Sequence, residues 1–172
     1  MKIKEYIIRN RRGFTLIELL LVIAIIAILA LLILVALNPT KRFKDARDAR
    51  RFSDVNNILN AIKVDQIDNT GPYLTTIANL TSGEIYLIGT CVTGATASNV
   101  TSFCTTDPTQ SICVDLADIV NQGYLGSIPI SPNGVGAWSS TITGYTLEKS
   151  TADLITVRAF EHENSSEIKL SR

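Results

Sequence analysis

Histidine and tryptophan each occur once in this 172-residue chain, and cysteine only three times. The single histidine, His162, lies in a polar C-terminal stretch where it reads as exposed, so Ser-His and Cys-His nucleophile pairs have no base to draw on. Cys91, Cys104 and Cys113 contain no C-x-x-C pair and with one histidine do not make up a zinc set. No P-loop, glycine-rich dinucleotide turn or nucleophile elbow occurs. The chain therefore reads as a non-enzyme that needs no cofactor and no resident metal. Net charge is also lacking: 16 Lys and Arg balance 16 Asp and Glu, which implies no general affinity for nucleic acid.

The most telling absence is local. From Leu19 to Leu37 there is no charged, polar, glycine or proline residue. That run passes the roughly 18-residue threshold for a membrane-spanning helix. One carboxylate, Glu18, stands at its start, and a carboxylate at bilayer depth is costly unless it is paired. The charge balance conceals a split. Residues 1–13 carry five basic groups (Lys2, Lys4, Arg9, Arg11 and Arg12) against Glu5, and the rest of the chain is mildly acidic.

A short basic leader ending in Gly13, followed by Phe14-Thr15-Leu16-Ile17-Glu18 and a long aliphatic run, resembles the N-terminus of type IV prepilins and type II secretion pseudopilins. The resemblance covers about the first 40 residues closely. It implies that a membrane-embedded aspartyl peptidase cuts between Gly13 and Phe14 and methylates the new N-terminus at Phe14. It further implies that Glu18 pairs with the Phe14 amine, its own or a neighbour's, as subunits leave the bilayer for a filament. The implied partners are the prepilin peptidase/methyltransferase, identical or related pilin subunits and the lipid of the cytoplasmic membrane. The implied location is that membrane first, then a cell-surface or periplasmic filament, with the C-terminal part extracytoplasmic.

The residues themselves are compatible with this. A cut after Gly13 places an amine four residues before Glu18, one helical turn away, where attraction in lipid far exceeds that in water. A secretory signal would be cut after its apolar core, whereas here the cut precedes it and the helix is retained. No cysteine near Phe14 suggests a lipoprotein. The plainer alternative is a signal anchor with Glu18 at headgroup level, a single-span, non-polymerising protein with an extracytoplasmic binding domain. Lys and Arg flank the span on both sides, so the cytoplasmic placement of the leader rests on the resemblance.

Asn38-Pro39 predicts a kink at Pro39. Beyond it, Ala49, Phe52, Val55, Leu59 and Ile62 recur at helical spacing as an inward face, with Arg47, Asp48, Arg51 and Asp54 on the others. The basic cluster 41–51 reads as a solvated, salt-bridged face, with Lys44 and Asp48 spaced as a pair, in preference to a lipid or DNA contact. A helix from Phe14 to Ile67 would be about 80 Å long, a subunit's geometry rather than a compact domain's. Asp68-Asn69-Thr70-Gly71-Pro72 stops it.

Strands are expected at 85–88, 144–148 and 154–160, the last two as an antiparallel pair, with a short helix over 114–121 and a fraying polar tail over 161–172. The fold expected is α+β: a long kinked N-terminal helix on a small antiparallel sheet, as in pilins. The organisation expected is a leader at 1–13, a membrane or filament-core helix at 14–38, its amphipathic continuation at 39–68 and a globular domain at 69–172. A bridge between Cys104 and Cys113 closes the shortest loop, with Cys91–Cys104 a comparable pairing. Asp107, Asp115 and Asp118 fit no EF-hand spacing and read as solvated acids. Asn79, Asn99 and Asn164 head short glycosylation sequons of little specificity.

Overall fold

The computed structural model describes residues 13–69, 74–90, 113–132 and 137–172. Leader residues 1–12, Cys91, Asn99, Cys104 and Asp107 lie outside the described residues. The chain forms two units, one up to Pro39 and one from Thr40 onward.

Among its described residues the first unit contains one helix, α1 (Leu16–Leu37), in which no residue is buried. It is long and apolar enough to cross a membrane. Its 22 residues rise about 33 Å, close to the thickness of a hydrocarbon core. α1 stops at Asn38, whose backbone is left-handed (φ 39°, ψ 69°). Asparagine tolerates that conformation, and proline at the next position disfavours helical geometry before it. Pro39 is then the first residue of α2 (Pro39–Asp68). A proline there sacrifices no hydrogen bond, because the first N–H groups of a helix have no intrahelical partner. The expected kink is therefore a break held at Asn38.

α2 belongs to the second unit from Thr40 on, and its later turns carry the core. Val55, Ile58, Leu59, Ala61 and Ile62 are buried against Ile77, Tyr86, Ile88, Leu116, Ile119, Tyr145, Leu147, Ile155 and Val157. Each fully buried aliphatic side chain contributes about 2 kcal/mol of transfer free energy. α3 (Thr75–Ala78) is a single turn that supplies Ile77. The sheet contains β1 (Ile85–Ile88), β2 (Cys113–Val114), β3 (Tyr145–Lys149), β4 (Ile155–Ala159) and β5 (Lys169–Ser171), in the order β2-β1-β3-β4-β5. β1 to β3, β3 to β4 and β4 to β5 are antiparallel, and β1 to β2 is parallel.

The expected strands at 85–88, 144–148 and 154–160 are thus present, and the last two pair in register with Leu147 opposite Val157. The expected helix at 114–121 is shorter. Val114 instead ends strand β2, and only Ala117–Asn121, α4, is helical, with Gly123 at φ 84° just beyond its end. The alternation along β1 puts Tyr86 and Ile88 in the main core and Leu87 in a second cluster with Trp138 and Phe160. Gly144 is required where that cluster meets the sheet. Its φ is 83°, and a Cβ there would lie 2.6 Å from the Trp138 ring and 2.7 Å from Ser131 Cβ.

Two expectations fail, and for one reason. Ala49 and Phe52, expected inward, are exposed, while Asp48 and Arg51, expected on the solvated face, are buried. The tail expected to fray instead contributes buried Glu161 and Ile168 and strand β5. Over its third and fourth turns α2 faces this polar C-terminal segment rather than an apolar wall, so charged residues occupy the inward positions.

Candidate functional site

The N-terminal constellation is small. Phe14 is 84 % exposed, and Thr15 caps α1 in extended geometry (φ −80°, ψ 150°). Its hydroxyl accepts the Glu18 N–H at 3.3 Å. Glu18 reaches back, accepting the Thr15 N–H at 2.8 Å and its hydroxyl at 2.7 Å on the same Oε2. This is a capping box: two N–H groups left over at the helix start are satisfied reciprocally. Thr-x-x-Glu ahead of an apolar run is the sequence signal for this cap, and it marks Thr15 beside Glu18. The box holds the Glu18 carboxylate against the backbone nitrogen next along from that of Phe14. At Gly13 no described atom lies within 4 Å of an added Cβ, and its φ is not in the left-handed range. Neither space nor backbone geometry in the described residues calls for glycine there.

The second constellation ties the C-terminal segment to α2. Arg51 is fully buried, with Nη1 donating to Asp48 Oδ1 at 2.9 Å and to Glu163 Oε1 at 3.1 Å. Its Nε donates to Ser131 Oγ at 3.1 Å, and Nη2 donates to the Pro132 carbonyl at 2.9 Å and lies 3.4 Å from Glu161. Arg47 grips Glu163 through two parallel bonds of 2.5 Å. Asp48 accepts the backbone N–H groups of Glu163, Asn164 and Ser165 at 2.8–3.2 Å. Trp138 Nε1 donates to Glu161 at 3.0 Å, and its ring meets Phe160 edge-on at 5.5 Å.

Burial pushes the Asp48 carboxyl up, but the three backbone N–H groups and the Arg51 guanidinium outweigh it and hold the group below its ordinary value. The Arg47 hydrogen bond, against opposing burial and with help from Arg51, does the same for Glu163. Tyr145 shifts the other way. Burial and a 2.7 Å bond donated to Asp54 keep its hydroxyl protonated well above the usual range.

Other sequence candidates fall elsewhere. Cys113 is disulfide-bonded, and Cys91 and Cys104, the other two cysteines, lie outside the described residues. Asp115 accepts the Ala117 N–H at 2.9 Å as a turn cap. Among the described residues no three His, Cys, Asp or Glu side chains gather as a metal site. His162, expected to be exposed, is half-buried, with Nε2 shielded from solvent. The Asn164 amide is turned onto α2, donating to the Lys41 carbonyl at 3.2 Å and to Asp45 at 2.7 Å.

Residues 8–34 match the family model of the prokaryotic N-terminal methylation motif. This is the prepilin-type cleavage and methylation signal of type IV pilins and pseudopilins. No curated protein and no solved structure matches the chain.

Proposed function

From a prepilin-type signal that contains Gly13, Phe14 and Glu18, we propose that this chain is the precursor of a filament subunit. It is held in the cytoplasmic membrane by α1, cut between Gly13 and Phe14 by the prepilin peptidase, and methylated on the Phe14 amine. The domain from residue 69 on lies on the extracytoplasmic side. The single observation that carries the reading is the coincidence of the matched motif with an apolar helix that buries none of its own residues. Such a surface needs lipid first and then other copies of itself, as in a pilus or pseudopilus.

The local geometry fits each step. Glycine at position 13 answers no demand of the described structure, which is what a residue selected by an external peptidase looks like. Glu18 already points back along the chain to the Thr15 amide, so the amine created at Phe14 arises beside an oriented carboxylate. In a low-dielectric filament core that pair neutralises both charges and sets the axial register between neighbours. Because Cys113 is bridged, the Cys91–Cys104 pairing falls away, and we assign Cys104 as its partner because that pairing closes the shorter loop.

Intact mass and N-terminal sequencing of the protein from its native membrane test the reading. The expected result is a chain that starts at Phe14 and carries one extra methyl group. A retained Met1, or a start elsewhere with the leader attached, would overturn it in favour of a non-polymerising membrane anchor.

A further inference from the structure

The sequence Lys41-Arg42-Phe43-Lys44 lies in the first two turns of α2, and all four residues are exposed. The acids one turn on from Lys41 and Lys44 are Asp45 and Asp48. Both are engaged by the C-terminal segment: Asp45 accepts the Asn164 amide at 2.7 Å, and Asp48 holds Arg51 and three backbone N–H groups. Among the described residues no carboxylate bridges Lys41 or Lys44. The salt-bridged face expected from the sequence is thus formed by Arg47, Arg50 and Arg51, whereas the expected Lys44–Asp48 pair is not made, because Asp48 faces Arg51 instead. The last of the basic cluster is also set apart, since Arg47 and Arg51 are consumed by Glu163 and Asp48.

A second observation points to the same surroundings. Phe43, between Arg42 and Lys44, leaves 65 % of its surface in solvent. An exposed phenyl ring among cations is poorly suited to bulk water but well suited to the boundary between headgroups and acyl chains. The chain length agrees. The uncharged run from Leu19 to Leu37 rises about 28 Å as a helix, matching a hydrocarbon core of about 30 Å. Lys41 follows Leu37 by four residues, which is at most about 14 Å of chain however the helices are joined.

We propose that Lys41, Arg42 and Lys44, with Phe43 as a wedge, form a collar that binds the phosphodiester headgroups of anionic phospholipids at the end of α1 opposite the leader. The inference rests on the reading of α1 as a membrane span. The collar holds the unassembled subunit at fixed depth, and its lipid contacts are given up when the helix leaves the bilayer.

The test uses the full chain in nanodiscs of phosphatidylcholine containing a minor fraction of phosphatidylglycerol, with retained lipids counted by native mass spectrometry. Carbonate extraction of the same protein from membranes checks insertion separately. Basic leader residues also attract anionic lipid, so one variant neutralises them (K2Q/K4Q/R9Q/R11Q/R12Q) and a second adds K41Q/R42Q/K44Q. The leader variant is expected to retain phosphatidylglycerol preferentially, by up to about fivefold per engaged cation at low salt. The preference falls as salt rises, and the second variant loses it. An inserted protein whose preference is unchanged by K41Q/R42Q/K44Q, or is absent from the leader variant, overturns the collar and leaves the span intact. Extraction by carbonate overturns both. Capture of duplex DNA that depends on the same three cations, without any lipid preference, would assign the collar to nucleic acid instead.

Discussion

Arg51 Nη1 donates to Glu163 Oε1 at 3.1 Å across 112 residues of chain, joining α2 to a segment that contains little but polar side chains. The guanidinium has no exposed surface; it donates to Asp48, Glu163, Ser131 and the Pro132 carbonyl and lies 3.4 Å from Glu161. A fork of fixed geometry suits such convergent acceptors, and lysine would not replace it. The C-terminal segment is thereby part of the fold rather than an appendage.

Arg51→Ala strands Asp48 and Glu161 as buried, under-compensated acids. Removing one partner of a buried ionic cluster costs about 3–5 kcal/mol. Denaturant unfolding of the full chain in detergent, followed by emission of its only tryptophan, Trp138, should show that loss, because Trp138 donates to Glu161 within the same cluster. Glu163→Gln should cost less, since Asp48 and Glu161 still face Arg51. Equal stability of Arg51→Ala and the unaltered chain would mean that the cluster only decorates the domain.

Acid should loosen the same contact. Asp48 and Glu163 both lie below their ordinary values of 3.8 and 4.5. The unfolded chain therefore takes up protons first as pH falls. The stabilisation is fully present above those ordinary values and is lost as pH drops through the depressed ones. The thermal midpoint contributed by these groups should begin to fall as pH passes 4.5 and should steepen below 3.8. In Asp48→Asn the midpoint at neutral pH should be lower and the acid limb shallower, and a limb of unchanged slope would point to other carboxylates.

At the N-terminus, Glu18→Ala should leave cleavage after Gly13 largely intact and abolish incorporation into filaments. Immunoblots of the processed chain, set against sheared or sedimented filaments, separate the two steps. Normal incorporation of the mutant would defeat the pairing of Glu18 with the Phe14 amine. Because Glu18 also closes the Thr15 cap, Glu18→Gln is the sharper probe: its amide oxygen still serves as the capping acceptor, but it cannot neutralise an amine.

Cys113 lies in β2, the edge strand beside β1, so its bridge fastens the end of the sheet. A peptide map without reduction should yield Cys104 linked to Cys113, leaving Cys91 as the free thiol. Closing a loop this short restrains the unfolded chain by about 2–3 kcal/mol, so mild reduction should lower the unfolding midpoint. Recovery of a Cys91–Cys113 peptide would reassign the pairing.

Much of this protein was legible before folding because it rests on local rules. The span from Leu19 to Leu37, the Gly13-Phe14 junction and the place of Glu18 are properties of a linear string, as are the strands at β1, β3 and β4 with their alternating β-formers. The stop at Asp68 and the break at Asn38-Pro39 follow from backbone stereochemistry alone. What the string does not display is which face of α2 turns inward over its first turns. Phe52 and Arg51 are neighbours, and hydrophobicity alone puts Phe52 inside. The structure reverses them because the wall opposite is built from residues 131–132 and 161–165, 80 or more positions after Arg51, and offers carbonyls and carboxylates. A buried charge is tolerated only where acceptors converge from several segments, and that convergence is a property of the tertiary fold.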